Sequence, residues 1–423
     1  MDRSQELYKE SSKLSPGGVS SPVRAFKPYP LFIKEANGPR ITDADGKTYI
    51  DLCMAYGPLI AGHANPIVIK AASEQLSRGT VFGAPSEQEL ALIERIHSEV
   101  PSAEMVRLAC SGTEATMHAI RTARGFTGKD GIVKMNGGFH GAHDSVLVKA
   151  GSGSADGVPS SKGVPADIAK HTHVVEYNDA QAMSDLLEKR DDIACVIMEP
   201  VLGNVGLVTP SKGYLDEVRK ITSESDVVLI FDEVIMGFRA SSGGAQKLYG
   251  VTPDMTTMAK IIGGGFAGGA FMGKEEIMSN VAPQGPVYAA GTFAGNPVSA
   301  AAGLAQIDLM CSDDNYAKIQ RRTETLVSSI RESMEDSGIS GCVNTLASMF
   351  AVYFGPEQVT NGTQAESADR MMFDRMFRYM LEHGVYLPPS ALEVDFMSLA
   401  HDDETVSKLS EAFKGFFSEV KRG

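Results

Sequence analysis

The 423-residue chain contains no tryptophan, and its 39 Lys and Arg are outnumbered by 53 Asp and Glu, for a formal net charge of −14. Without a basic excess there is no overall surface to neutralise nucleic-acid phosphates or anionic lipid. The expected partners are therefore small molecules, with no nucleic acid and no membrane. No apolar run reaches the roughly 18 residues of a membrane-spanning helix, and the polar opening MDRSQELYKESSKL lacks the apolar centre of a secretory signal. The expected location is cytoplasmic. Five cysteines (Cys53, Cys110, Cys195, Cys311, Cys342) are odd in number and show no CxxC spacing, which suits a reducing compartment and excludes a zinc ribbon.

Several chemical signatures are missing as well. There is no GxSxG elbow, and Gly151-Ser152-Gly153 neither follows a strand nor opens a helix, so no Rossmann cofactor is implied. Gly268 to Lys274 fits GxxxxGK, but Glu275 stands where a hydroxyl should meet magnesium and would set an anion beside the phosphates. His140 and His143, or His171 and His173, have no further ligand cluster nearby, and no metal is expected.

What remains is a chain with 43% hydrophobic and 22% charged residues, long enough for one large domain with a smaller one. From about residue 80 to 310, strand patterns alternate with helical ones. This predicts an α/β fold, a doubly wound, mostly parallel sheet. The strand candidates are Met105 to Cys110, Ile132 to Met135, Ile193 to Met198, Val227 to Phe231 and Met255 to Met258. Helical patterns cover Pro66 to Ser77, Glu114 to Arg124 and Val298 to Leu309. Beyond 311, amphipathic helices (Tyr316 to Asp336, Ala368 to His383, Glu404 to Arg422) and short strands (Met349 to Phe354, Phe396 to Leu399) read as an α+β piece. Residues 31 to 53 alternate around an Asp-Gly pair and read as a hairpin. The expected division is 1–60 as the N-terminal segment of a small domain, 61–310 as the large domain and 311–423 as the C-terminal part of the small one. Residues 142 to 173, rich in Gly, Ser and Pro, read as a long mobile lid.

Each strand candidate ends beside a residue that invites chemistry, and ligands of open α/β sheets sit at the carboxyl ends of strands. Ser111-Gly112-Thr113 opens a helix and reads either as a phosphate cradle or as an ordinary N-cap. Phe139-His140-Gly141 follows the second strand, where Phe139 either lies on a ligand ring or joins the core. Glu199 ends the third strand, Asp232 the fourth, and Lys260 lies just past the fifth. A lysine whose pKa falls through burial can form a Schiff base, and an aspartate is the usual partner of the pyridinium nitrogen of pyridoxal phosphate (PLP). Gly291-Thr292 offers a second hydroxyl and amide set for phosphate. In the N-terminal SPGGVSSPVRAFKPYP, Arg24 beside Ser20 and Ser21 is either a surface arginine or a guanidinium held for a carboxylate.

The order SGTEA (from Ser111), FHG (from Phe139), FDEV (from Phe231), AKIIGGG (from Ala259) and GTFAGNP (from Gly291) resembles the class III aminotransferases, PLP-dependent transferases of fold type I. SPVRAFK, VKAGSGS, EPVLGN and LPPSALEVDFMSLAH are similar to the aminomutase branch of that class. The resemblance runs from about residue 19 to 401. It implies a homodimeric isomerase of tetrapyrrole synthesis that converts glutamate 1-semialdehyde to 5-aminolevulinate through pyridoxamine phosphate and 4,5-diaminovalerate. Lys260 would then be the Schiff-base and proton-shuttling lysine, Asp232 the partner of the ring nitrogen and Phe139 the stacking ring. Ser111, Gly112, Thr113 and Gly291 would bind the cofactor at its phosphate, with Thr292 reaching over from the partner subunit. His140 and Asn204 would approach the cofactor; Ser21 and Arg24 would hold the substrate carboxylate, with Tyr56, Ser152, Tyr288 and Glu393 near the substrate. A transient complex with glutamyl-tRNA reductase is implied as the source of the semialdehyde.

The family usually has Tyr at the position of Phe139, Trp at Tyr56 and Gly at Ala259. The rival readings are an ω-aminotransferase, an amino-acid racemase, and a catalytically inactive PLP-fold binding protein.

Overall fold

The structure is a computed structural model and describes residues 2–151, 154–312 and 314–422. The chain divides into two compact units. A terminal unit comprises Met1–Asn65, Asp314–Val359 and Ala365–Gly423; a central unit comprises Pro66–Asp313 and Thr360–Gln364.

The terminal unit begins with helix α1 (Arg3–Leu14) and strands β1 (Ile33–Asn37), β2 (Arg40–Asp43) and β3 (Thr48–Asp51), paired antiparallel in that order. The β2–β3 turn is the expected Asp-Gly hairpin, and its closure is local. Asp43 Oδ1 accepts from the amides of Asp45 (3.0 Å) and Lys47 (2.8 Å), and Gly46 takes a φ of +86°, which a glycine adopts without strain.

The central unit opens with α2 (Pro66–Leu76) and α3 (Glu87–Glu99), then β4 (Met105–Ala109), α4 (Gly112–Thr127) and β5 (Gly131–Met135). There follow β6 (Val148–Gly151), β7 (Ser154–Pro159), β8 (Thr172–Val175), β9 (Ile193–Met198), β10 (Val228–Asp232), β11 (Met255–Ala259) and β12 (Gly269–Gly273). They form one nine-stranded sheet in the order β4-β12-β11-β10-β9-β5-β8-β7-β6. The pairs β11/β10, β10/β9, β9/β5 and β5/β8 are parallel. Strands β5 and β8 to β11 are buried along their whole length, and β9 and β10 accordingly read as near-continuous apolar runs rather than alternating ones. On one face Ala115, Ala119, Ile120 and Ala123 of α4 pack with Ile132, Ile197, Ile230, Met255 and Phe271. Each large apolar side chain buried there contributes about 1.5–3 kcal/mol.

The structure corrects the reading of one segment of the large domain and explains a second. Residues 142–173 are not one loop: β6 and β7 pair antiparallel, β7 bridges β8, and β8 pairs parallel with β5, so the segment extends the sheet. Edge strands need backbone pairing more than apolar side chains, and Gly, Ser and Pro hid them. The GxxxxGK stretch is β12, wedged antiparallel between β11 and β4. Its glycines are there for space, because a Cβ on Gly269 would stand 2.4 Å from the carbonyl oxygen of Ser111.

The chain then completes the terminal unit with β13 (Gly341–Leu346), β14 (Met349–Phe354), β15 (Val385–Tyr386) and β16 (Asp395–Phe396). Strand β15 joins β3 in parallel, while β13, β14 and β16 form a three-stranded sheet. The strand expected over Phe396 to Leu399 is thus only two residues long and shifted. Helices Asn315–Ser337, Arg370–Glu382 and Asp403–Arg422 follow their amphipathic patterns, and Phe350, Phe354, Phe413, Phe416 and Phe417 form an aromatic core. Among the described residues no helix is long and apolar enough to cross a membrane.

Candidate active site

The parallel register of the central sheet brings the carboxyl ends of its strands to one edge. Asp232 is the last residue of β10, and its register partner on β11 is Thr257, three residues before Lys260. The acid and the amine therefore leave the sheet from neighbouring strands. On the other side, Phe231 pairs with Met198, which places Glu199 next to Asp232.

Asp232 is 3% exposed and is held from several sides. Its Oδ1 accepts from the Val234 amide (3.1 Å) and the Thr257 hydroxyl (3.2 Å), and its Oδ2 lies 2.8 Å from His140 Nδ1. Burial lowers the pKa of His140 more than Asp232 raises it, so the ring is neutral at ordinary pH and its Nδ1 proton points at the carboxylate. His140 Nε2 is buried with no hydrogen-bond partner. A buried carboxylate fixed in this way is a preorganised acceptor.

Lys260 begins a 3-10 turn, Lys260–Gly263, with a left-handed φ of +52°. Such strain in a non-glycine residue clusters at functional positions. The glycines that follow are packed rather than pliable. Gly264 and Gly265 take φ of +60° and +91°, and a Cβ on Gly264 would stand 2.4 Å from the backbone of Ala302, in the helix Pro297–Cys311.

At the start of α4, Ser111 is the N-cap: its hydroxyl oxygen accepts from the Glu114 amide at 3.2 Å, while Glu114 accepts from the Cys110 amide at 2.8 Å. The amides of Gly112 and Thr113 head the helix, where no preceding turn can accept from them, and the helix dipole adds positive potential. Space here is tight. A Cβ on Gly112 would stand 3.0 Å from both methyls of Val234, and one on Gly141 would stand 2.7 Å from Thr113. The Thr116 hydroxyl donates to the His140 carbonyl at 2.6 Å and the Ala142 amide donates to the Thr113 hydroxyl at 3.3 Å, so the Phe139–Gly141 turn lies against the helix start. The Phe139 ring is 52% exposed, which excludes the core reading for that residue. Gly291 adjoins the same helix start, since a Cβ there would be 3.5 Å from Cys110 Sγ, and Thr292 beside it is exposed.

Asn204 donates to both oxygens of Glu199, at 3.0 and 2.9 Å. Tyr288 is 72% exposed, and its carbonyl accepts from Arg121 at 3.0 Å. Ser152 lies outside the described residues.

The remaining candidates lie in the terminal unit. Ser21 caps the 3-10 turn Pro22–Arg24, and Arg24 is exposed. Met54, Ala55 and Tyr56 all have positive φ (+43°, +55°, +65°), a strained turn steadied by Asp51 Oδ1, which accepts from the Cys53 and Met54 amides. That turn aims the Tyr56 hydroxyl at the carbonyl of Val23, 2.6 Å away, next to Arg24. Burial pushes the Tyr56 pKa up, with Cys53, Tyr386 and Glu393 adding to the effect, so Glu393 shares that neighbourhood.

The sequence reading noticed Glu199 but gave it no role; the signal was the one that marked Asp232, an acid closing an apolar strand. Among the described residues no group of three or more His, Cys, Asp or Glu could hold a metal ion.

A buried, fixed acid, an exposed aromatic residue, the amides heading α4 and a lysine in the turn after the adjoining strand fit a flat phosphorylated pyridine. Comparisons with known proteins agree. Residues 22–415 match the family model described as Aminotransferase class-III. The glutamate-1-semialdehyde 2,1-aminomutase of Methanothrix thermoacetophila is 54% identical over 98% of this chain and 96% of its own length. Among solved structures, an omega-transaminase from Sphaerobacter thermophilus superposes with a TM-score of 0.94 at 31% identity, covering 100% of this chain and 98% of that one. A glutamate-1-semialdehyde-aminomutase from Pseudomonas aeruginosa PAO1 in complex with PMP gives a TM-score of 0.90 at 26% identity, covering 99% and 94%. The chain belongs to the class III aminotransferase family, of PLP-dependent fold, and within it to the branch of the glutamate-1-semialdehyde 2,1-aminomutases.

Proposed function

We propose that this chain converts glutamate 1-semialdehyde to 5-aminolevulinate by moving the amino group within the substrate, with PLP and pyridoxamine phosphate as the two forms of its resident cofactor. The observation that carries the reading is the pairing of Asp232 and Thr257 across adjacent parallel strands, which sets a buried acid and the Lys260 turn at one edge. When bound, the cofactor supplies an electron sink that makes the C–H bond beside a substrate nitrogen acidic.

The chain's own residues do the rest. Lys260 Nζ accepts and returns the proton; Asp232, oriented by His140 and Thr257, presents a fixed anion to the ring nitrogen. The Gly112 and Thr113 amides and the hydroxyls of Ser111 and Thr113 hold phosphate at the head of α4. Phe139 offers its exposed face as the platform, and Asn204 lies on the loop tied to Glu199. Arg24 and Ser21 take the substrate carboxylate, with Tyr56, Tyr288, Ser152 and Glu393 around the substrate. The exposure of Thr292 supports its reaching into the phosphate site of a second copy in a homodimer. The enzyme works in the cytoplasm, in transient contact with the glutamyl-tRNA reductase that supplies the unstable aldehyde.

A donor-free turnover assay tests this reading. The purified protein given glutamate 1-semialdehyde alone should produce 5-aminolevulinate. The close fold match to an omega-transaminase favours one second reading, and that enzyme would require a separate amino donor. Turnover seen only with added donor would establish the transaminase instead.

A further inference from the structure

Glu199 closes β9 beside Asp232, fully inside the central unit, and gathers more donors than its place at a strand end demands. Its Oε1 accepts from the Phe139 amide at 2.9 Å, its Oε2 from the Gly203 amide at 2.8 Å, and both oxygens from Asn204 Nδ2. Two loops on different strands, one after β5 and one after β9, thus meet on a single carboxylate. Phe139 itself is half exposed, so core packing does not set its side chain. Gly203 packs close to this group: a Cβ there would stand 2.8 Å from the end of the Ile235 side chain and 3.5 Å from Glu199 Oε2.

We infer that Glu199 is the positioning residue of this site, fixing the Phe139 ring and the Asn204 side chain relative to each other and to Asp232. A neighbouring acid shows what a purely structural role looks like. Glu233 is equally buried, but its partners are the Ala245 and Gln246 amides and the Gln246 side chain, at the start of the helix Gly244–Tyr249. It organises a helix terminus and touches neither Phe139 nor Asn204. Burial, with Asp232 adding to it, opposes charge on Glu199, while its amide and side-chain donors favour the ionised form. In Glu199→Gln one oxygen becomes an NH2 that faces an amide donor, so one of the two loops loses its hydrogen bond to this side chain.

The test uses full-length wild type, Glu199→Gln and Glu233→Gln, each stripped of cofactor and titrated with PLP. Visible absorbance gives the affinity, circular dichroism per bound PLP reports the ring's setting, and the unfolding midpoint of each stripped chain is recorded alongside. Glu199→Gln should bind PLP about tenfold more weakly or worse, with altered dichroism. Glu233→Gln should lose stability without either change. Glu199→Gln matching wild type in affinity and dichroism, or Glu233→Gln moving both as far, overturns the inference. Should Glu199→Gln not fold, Glu199→Asp keeps the charge and draws the carboxylate back from both loops by one methylene. It should change the dichroism and weaken binding severalfold, and no change would overturn the inference equally. The inference rests on the cofactor reading above, and the failures are separable: wild type that takes up no PLP defeats that reading, whereas a wild-type-like Glu199→Gln defeats only this one.

Discussion

The two units hold their candidate residues by different means. In the central unit, Asp232, Glu199 and His140 are buried at the ends of parallel strands and cross-braced by hydrogen bonds of 2.8–3.2 Å. In the terminal unit, Arg24 and Ser21 sit on a single 3-10 turn, and Tyr56 on a strained turn that reaches Val23. A sheet edge fixes atoms that must not move during bond breaking, whereas turns present side chains that a substrate selects. Changes at the buried acids, His140 and Lys260 of the central unit should therefore alter cofactor chemistry, and changes on the Arg24 and Tyr56 turns of the terminal unit should alter substrate affinity.

The largest expected effect tests the first half of that contrast. Lys260→Ala should abolish the visible absorbance of the holoenzyme near 400–430 nm and lower donor-free turnover by about a thousandfold or more, measured by 5-aminolevulinate formation. Turnover within tenfold of wild type would remove Lys260 from the chemistry. A smaller effect tests the other half: Arg24→Lys keeps the charge but loses the planar fork, so KM should rise by about tenfold while the cofactor spectrum stays unchanged. A changed spectrum with an unchanged KM would erase the distinction between the units.

The smallest effect on turnover concerns stability. Burial pushes the Glu233 carboxyl up to about 7, against an ordinary 4.5, despite the stabilising amides of Ala245 and Gln246. Because the folded pKa lies above the unfolded one, its contribution is fully present below about pH 4.5 and is lost as the pH rises through about 7. Glutamine does not titrate. The stability of wild type relative to Glu233→Gln should therefore fall across that window by up to about 3 kcal/mol and level off above it, as read from chemical denaturation. A difference that grows with pH would refute the assignment.

Much of this was legible in the sequence, for a physical reason. Strands buried on both faces are mostly apolar, so β9, β10 and β11 are legible to within a residue of their ends, and the chemistry-bearing residue that closes or follows each strand stands out against that background. The hairpin of β6 and β7 and the wedge strand β12 were not legible. The first lies at the sheet edge, and the second is framed by Gly269 and Gly273, which look like loop residues until Ser111 and Asp254 are seen to crowd them. The Glu199 clamp escaped for another reason. Its partners, Phe139 and Gly203, come from two loops 60 residues and 4 residues away, and only the β5/β9 pairing brings them together.

The terminal unit is assembled from both ends of the chain, and this has a bearing on biosynthesis. The Lys47 ammonium donates to the carbonyl of Leu381 across 334 residues, and His401 Nε2 meets the carbonyl of Asp51 across 350. At roughly 5–20 residues per second of synthesis, the first half of this unit waits tens of seconds on the ribosome for its other half. During that interval β3 has no β15 beside it, and its free edge is the segment of the newborn protein most in need of shelter.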